Sequence, residues 1–405
     1  MSVNTMTFEQ ISTVLVSLVK QATGQTVLTP TSTSEFVSVA QIALRADRDV
    51  IMNTLSNMIG RTIFSIRPYS AKMTGLVMDS FRWGAVMRKL SIADNEWEDD
   101  QAYKYPVTYD AGQTPPSGDG GTVDQWVIKK PNVLQTNFYG ASVYSDHMTI
   151  TEEQLESAFT SPDQLGSFIT LIMTNLSDRW EQAQENLRRG LVANAIGGIY
   201  NENNSDRVIH LLTEYNTLTG LTTPLDNQTV YQPDNFNPFM KWVYSRIAQI
   251  SDLMTERSQM FQTRITGKPV MHHTPMQDQR VYLYAPARHQ IDARVLADTY
   301  HDNFLRYADV ESVNFWQSIS SGSSVTVTPA WTDASGALVI PGSTVAVDDV
   351  FGIIFDRDFM GMTVLGQRML STPVNASGIY RNVFLHARNR LFTDPTEKAC
   401  LLLLD

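Results

Sequence analysis

The side chains best suited to holding a metal ion are two adjacent histidines, His272 and His273, with Asp278 close by in the sequence. Imidazole and carboxylate groups are common zinc ligands, so chemistry would be sought here first. Adjacent residues of a strand point to opposite faces, however, and the spacing matches no His-Glu-x-x-His helix motif. We therefore expect no metal site here and no cofactor.

Candidate catalytic carboxylates occur in two short groups, Asp348 with Asp349 and Asp356 with Asp358. Both groups lie at the ends of predicted strands, where acidic residues usually belong to turns. The serine-rich run 320–324 contains no Gly-x-Ser-x-Gly elbow, and the glycines at 118–121 precede a strand instead of the helix that a dinucleotide-binding turn needs. The sequence thus predicts no enzymatic activity.

Composition narrows the class of protein further. A net charge of −11 argues against a nucleic-acid reader, because such proteins neutralise phosphates with Lys and Arg. The single cysteine, Cys400, excludes an internal disulfide and a cysteine-based zinc site. We find no run of about 18 apolar residues, and polar residues interrupt the apolar stretch 8–19. We therefore expect no membrane span and no signal peptide, and a cytoplasm-like compartment.

Charged residues make up only 18% of the chain, which is low for a soluble protein. The chain is also rich in aromatic residues and methionine, which concentrate in interface cores. Either large protein–protein contacts or one big core explains this composition.

Two helical segments open the chain, at 7–22 and at about 35–58, joined by a polar linker. Apolar residues recur on one side of the first segment, at the spacing of a helix. This apolar stripe needs a partner, which is either the body of the same chain or a neighbouring subunit.

Strand-like residues at 76–92 and 125–144 flank an acidic segment, residues 94–124, which has eight acidic residues and one basic residue. The same segment contains prolines and a glycine-rich run, which are typical of turns. The pattern predicts an extended hairpin that projects from the body. Its acidic tip is either a solvated surface or docks on a basic patch of a neighbour.

A long helix is predicted to begin at Ser161, which can cap it, with Pro162 at the first helical position and Gln164 placed to complete a capping box. Apolar residues then recur every three or four positions as far as Gly197 and Gly198, a length of roughly 50 Å. Beyond it we expect loop or weak strand at 201–235, helices at 237–261 and 287–300, and a buried strand at 281–284. The remainder should be mostly strand, at 310–316, 324–329, 338–340, 350–355, 380–386 and 399–404. This order indicates an α+β fold.

The order of elements resembles that of tailed-bacteriophage major capsid proteins of the Hong Kong 97 type. Several short sequence motifs are similar to those of small-genome podovirus head proteins, namely VYLYAP at 281–286, IDARVLA at 291–297 and YH at 300–301. The runs VFGIIFDRD at 350–358, NVF at 382–384 and ACLLLL at 399–404 complete the similarity. In the family, the first of these three forms the strand before a long variable loop.

The resemblance implies an N-terminal arm at 1–75 and an extended hairpin, the E-loop, at 76–150. These would be followed by a peripheral domain at 151–234 with a spine helix at 162–200, an axial domain at 235–320, and a strand-rich end at 321–405 shared between the two domains. It also implies a major capsid protein that assembles through hexamers and pentamers into the icosahedral virion head. That head, built in the host bacterial cytoplasm, would enclose double-stranded DNA without reading its sequence.

Partners implied by the resemblance are copies of the chain itself, a scaffolding protein and a portal during assembly, and decoration proteins. The expected subunit contacts in the E-loop are Glu96, Trp97, Glu98, Asp99, Asp100 and Lys104, with Trp97 as the apolar anchor. The alternatives are the shell protein of an encapsulin-like nanocompartment and a hydrolase with an unfamiliar site.

Overall fold

The computed structural model describes residues 7–24, 26–45, 72–78, 87–93, 126, 130, 132–138, 142–294, 309–341 and 343–405. Its helices are α1 (Phe8–Thr23), α2 (Thr33–Arg45), α3 (Glu152–Ala158), α4 (Pro162–Glu202), α5 (Leu211–Thr219), α6 (Pro233–Thr255) and α7 (Ala285–Arg294). Its first strands are β1 (Val77–Met78), β2 (Met87–Ile92), β3 (Val133–Phe138), β4 (Ser142–Thr151), β5 (Val208–His210), β6 (Gln279–Tyr284) and β7 (Asp309–Val313). The later strands are β8 (Val325–Val327), β9 (Trp331–Thr332), β10 (Leu338–Val339), β11 (Val345–Val347), β12 (Val350–Asp356), β13 (Met360–Ser371), β14 (Tyr380–Thr393) and β15 (Ala399–Leu403).

The long helix α4 begins as the sequence predicts. Ser161 accepts a hydrogen bond from the Gln164 amide, and Pro162 occupies the first turn. The helix has 41 residues, so at 1.5 Å per residue it is roughly 60 Å long. It continues through Gly197 and Gly198, where an end was expected, because these glycines leave room for the side chains of Val327 and Trp331.

The N-terminal helices pack on their own chain. Leu15 and Leu18 of α1 and Phe36 of α2 are fully buried against the first half of α4, around Leu165 and Leu176. The apolar stripe of α1 is therefore covered by the body of the same subunit. Of the second predicted helix, residues 46–58 lie outside the described residues.

A five-stranded sheet, in the order β5-β15-β12-β6-β7, forms the centre of the molecule. Side chains alternate between its two faces: Ile353 and Leu401 pack with the second half of α4, whereas Ile354 and Leu402 pack with α6. Both faces are buried, which explains why the predicted strands 350–355 and 399–404 are apolar throughout.

A four-stranded sheet, in the order β1-β13-β14-β4, lies against the first half of α4. Its longest strands, β13 and β14, are antiparallel neighbours. The expectation of a long variable loop after residue 358 is wrong, because β13 occupies residues 360–371 and only residues 372–379 connect it to β14. Helix α5 similarly occupies part of the stretch 201–235, where loop or weak strand was expected, whereas the short strand β5 agrees with that expectation.

Strands are present on both sides of the acidic segment, as the sequence predicts. Strands β2 and β3, hereafter the hairpin stem, pair antiparallel with Ile92 opposite Val133 and Met87 opposite Phe138. The whole acidic segment, residues 94–124, lies outside the described residues. In the described part of the chain, no helix is long and apolar enough to cross a bilayer.

Candidate functional site

The six predicted contact residues, Glu96, Trp97, Glu98, Asp99, Asp100 and Lys104, lie outside the described residues. The structure instead describes the hairpin stem that carries them. One face of the stem is open, and the end of this face next to the acidic segment is apolar: Leu90 is 62% exposed, Ile92 66% and Val133 43%. The rest of the same face is polar and comprises Arg88, Gln135 and Asn137. Lys89 points to the opposite face, toward the body, so the stem has a bound side and a free side with an apolar strip.

Lys89 fastens the stem to the body. Its Nζ lies 2.5 Å from Asp394 Oδ2 and also pairs with Glu397 Oε1, on the connection between β14 and β15. Both carboxylate side chains are nearly inaccessible to solvent. Burial lowers the pKa of Lys89, but the two carboxylates outweigh it, and the net pKa is raised. The ammonium group is therefore held in its charged form.

The stem is held at both of its ends. At the base, the rings of Phe138 and Phe392 lie 5.3 Å apart. At the other end, Lys268 Nζ donates to the carbonyl of Val133 at 3.1 Å, and Asn132 Nδ2 donates to the carbonyl of Gly267 at 3.1 Å. These two ends and the ion pairs of Lys89 hold the short hairpin at three points and fix its direction relative to the body.

His272 and His273 do not converge on one site. His272 Nδ1 lies 3.2 Å from Glu397 Oε2, whereas His273 is exposed. Glu397 is buried, which raises its pKa, but the hydrogen bond from His272 and the charge of Lys89 lower it to about 2. No group of three His, Cys, Asp or Glu side chains suited to a metal ion occurs among the described residues. His272 thus belongs to the anchor of the stem.

The other candidate carboxylates occupy turns. Asp356 accepts hydrogen bonds from Thr274 Oγ1 at 2.6 Å and from the Asp358 amide at 2.8 Å, and so closes the turn from β12 to β13. Asp349 has a positive φ of 53° and accepts from Asn227 Nδ2 at 2.6 Å. Burial raises the pKa of both Asp356 and Asp349. These contacts give each group a structural role.

Lys398, a buried group that the sequence does not single out, follows the anchor residue Glu397 in the chain. Lys398 is fully buried and donates to the carbonyl of Glu256 at 2.6 Å and to Ser258 Oγ at 3.1 Å; burial lowers its pKa to about 8. Burial also raises the pKa of the Cys400 thiol to about 12, so this thiol is unreactive. The sequence signal for these buried charges is the polar run Asp394–Lys398 between two predicted strands, which has a charged residue at three of its five positions.

A sequence model of the family described as Phi29-like phage major capsid protein matches residues 17–403. The chain belongs to this family. This capsid protein is therefore a structural subunit of a phage head shell. The match favours that function over a nanocompartment shell or a hydrolase.

Solved structures agree on the fold of the capsid protein. A chain in the capsid structure of Staphylococcus phage Andhra superposes with a TM-score of 0.50 at 9% identity, covering 84% of this chain and 86% of that one. A chain in the structure of the head fiber and inner core protein gp22 of native bacteriophage P68 superposes with a TM-score of 0.52 at 10% identity, covering 83% and 85%. The predicted α+β fold of the Hong Kong 97 type is confirmed. Comparison with curated protein sequences gave no match.

Proposed function

We propose that this capsid protein assembles through hexamers and pentamers into an icosahedral head that encloses double-stranded DNA. The family match carries the proposal, and the exposed apolar strip of the hairpin stem supports it. Leu90, Ile92 and Val133 lie side by side on a secured hairpin, where an uncovered apolar strip costs solvation free energy until a neighbour covers it. Each contact can be weak, because a closed shell repeats it many times.

Residues 76–150, which include the stem and the acidic segment, form the E-loop of this proposal, with residues 1–75 as an N-terminal arm. The division is completed by a peripheral domain at 151–234 with the spine helix at 162–200, an axial domain at 235–320, and a strand-rich end at 321–405 shared between the two domains. Glu96, Trp97, Glu98, Asp99, Asp100 and Lys104 remain the proposed E-loop contacts. Helices α1 and α2 bury their apolar faces on their own chain, so contacts of the arm with a neighbour would use its polar surface.

In the same proposal, a scaffolding protein and a portal take part in assembly in the host cytoplasm, decoration proteins bind the head, and the subunit has no catalytic activity. Net negative charge suits a wall that holds packed DNA without binding it tightly. Metal analysis and a broad substrate screen test the last point, and reproducible turnover would contradict it.

A deletion tests the role of the E-loop. Residues 95–124 are replaced by the dipeptide Asn-Gly, which shortens the connection between β2 and β3 without removing either strand. The truncated subunit should keep the far-UV circular dichroism and urea midpoint of the intact chain, because the stem anchors remain, but should form no regular shells. Normal shells would show that the loop is dispensable and would overturn this part of the proposal.

A further inference from the structure

The middle of α4 buries polar side chains, whereas its two halves bury apolar ones. The first half packs in one apolar cluster around Leu165 and Leu176, and the second half packs in another around Leu191 and Ile196. Between the two clusters, the buried residues of the helix include Ser177, Glu181, Gln184, Glu185, Arg188 and Arg189. Burying charges is costly, and an apolar layer is often at least as stable, so these charged residues are expected to have a specific structural role.

The chain that leads into β1 lies against this charged layer. Arg188 Nη1 donates to the carbonyl of Lys72 at 2.9 Å, and the Lys72 amide donates to Glu185 Oε2 at 3.3 Å. Glu311 of β7 accepts the next amide, that of Met73, at 2.5 Å. Three neighbouring backbone groups are therefore bound by charged side chains from two separate elements.

Met73 has a backbone conformation that depends on such contacts. Its φ is 58° and its ψ is 38°, in the left-handed region that residues other than glycine rarely adopt. A conformation of this kind raises the energy of the chain and persists where the surrounding structure determines it. Directly after Met73 comes the short 3-10 helix Thr74–Leu76, and then β1, in which Val77 lies opposite Met362 of β13. The contacts at Lys72 and Met73 therefore set the direction in which the chain turns into β1.

The charged side chains are themselves held in place. Arg189 Nη2 donates to Glu185 Oε1 at 2.7 Å, and the guanidinium carbon of Arg189 lies 3.7 Å from the centre of the Phe315 ring. Burial lowers the pKa of Arg188, and nearby carboxylates, among them Glu181 and Glu185, oppose that shift. Opposite charges thus compensate each other within the layer and keep its side chains in fixed positions.

We propose that Glu185, Arg188 and Glu311 form a clasp that positions the start of the E-loop. The clasp fixes the turn at Lys72 and Met73, where the proposed N-terminal arm meets the E-loop, and it acts together with the anchor of the stem. The proposal rests on the proposed function and names the residues that give the E-loop the same starting direction in every subunit. A closed shell repeats identical contacts, so subunits whose E-loops leave the body in different directions would not close into a regular particle.

Hydrogen exchange of the subunit tests whether the clasp holds the backbone. Glu311→Leu removes the acceptor of the Met73 amide, whereas Glu311→Gln keeps a carbonyl oxygen and is the matched control. Glu311 is partly buried, so both variants should fold. Mass spectrometry of peptides covering 72–78 should show exchange faster by about tenfold or more in Glu311→Leu, and within about threefold of the unmodified chain in Glu311→Gln. Peptides covering 165–176 of α4 should exchange as in the unmodified chain.

Shell formation tests whether assembly depends on the clasp, under conditions in which the unmodified chain forms shells. Arg188→Met and Glu311→Leu should each reduce the fraction of subunits in closed particles of uniform diameter by about tenfold or more, with open or irregular assemblies in their place. Glu311→Gln should assemble within about twofold of the unmodified chain. Gly198→Ala controls for stability, because its added methyl group would overlap the Trp331 ring and leave the clasp intact. This control should form regular shells.

Three outcomes would overturn the proposal. Unchanged exchange at 72–78 in Glu311→Leu would show that the clasp does not hold this segment. Regular shells from both Arg188→Met and Glu311→Leu would show that assembly does not depend on it. An equal loss of shells in Gly198→Ala would attribute the loss to reduced stability. Failure of the unmodified chain to form shells would instead count against the proposed function itself, and exchange at 72–78 would still test the clasp in the isolated subunit.

Discussion

The ammonium group of Lys89 lies between two buried carboxylates, those of Asp394 and Glu397. Lys89→Met keeps an unbranched apolar side chain of similar length but leaves both carboxylates without their cation. Losing one partner of a buried ion pair costs about 3–5 kcal/mol. The Lys89 side chain is 25% exposed, which places the expected loss at the lower end. We expect urea denaturation to show a fall of about 3 kcal/mol in the free energy of unfolding.

Arg264→Met provides the control for that measurement. Arg264 pairs with Asp206 at 2.7 Å, but their side chains are 55% and 36% exposed. Such surface pairs contribute about 0–1 kcal/mol. Equal losses in the two variants would mean that the Lys89 pair does not anchor the stem.

Glu397 makes stability depend on pH. Its pKa is about 2 in the folded protein, against 4.5 for the free side chain. A carboxylate whose pKa is lower in the folded than in the unfolded protein stabilises the fold at pH values above its unfolded pKa. That stabilisation is lost as the pH falls through its folded pKa. We expect the stability gap between the unmodified chain and Glu397→Gln to be full above about pH 4.5 and to close toward pH 2, in urea titrations at stepped pH. A gap that stays constant across this window would contradict the contact with His272 and Lys89.

Residue chemistry was predictable only in part from the sequence. The turn roles of Asp356 and Asp349 follow from their places at strand ends. Lys89 and Asp394 are 305 positions apart, so only the fold brings them together. The sequence marked His272 as a candidate ligand, but the structure pairs it with Glu397, a carboxylate near the end of the chain.

At the scale of elements, two glycines of α4 provide a matched test of packing. A Cβ on Gly198 would overlap the ring of Trp331, whereas a Cβ on Gly190, in the same helix, would meet nothing within 4 Å. Gly198→Ala should destabilise by about 1–3 kcal/mol because the core is overpacked. Gly190→Ala should be neutral or stabilise by up to about 1 kcal/mol, because alanine favours the helix.

Thermal or urea unfolding of both variants measures the difference. Stabilisation by both to the same extent would show that helix propensity, and not contact with Trp331, decides the outcome. A stable Gly198→Ala variant would contradict the close packing of α4 against β9.

Elements with strong local signals were predicted well, and the others depend on tertiary contacts. The cap at Ser161 and the apolar period identified α4 without any partner. Strand β13 includes Gly361 and Gly366, which are weak strand formers, and it is stabilised by pairing with β14 along its length. Helix α5 has nine residues and is fixed by its contacts, among them the paired hydrogen bonds of Arg246 with Glu214.

At the scale of the whole molecule, the low share of charged residues and the exposed apolar strip on the hairpin stem suit a subunit that its neighbours cover. The fold class followed from the order of elements along the chain. The apolar strip could not be derived in the same way, because it depends on the register in which β2 pairs with β3 and on the ion pairs that turn Lys89 toward the body.

Electron microscopy of the purified full-length chain tests the central claim most directly. Negative-stain images should show closed particles of uniform diameter built from this chain, either alone or after addition of the scaffolding protein. Stable monomers under both conditions would contradict the identification of this chain as the subunit of a head shell.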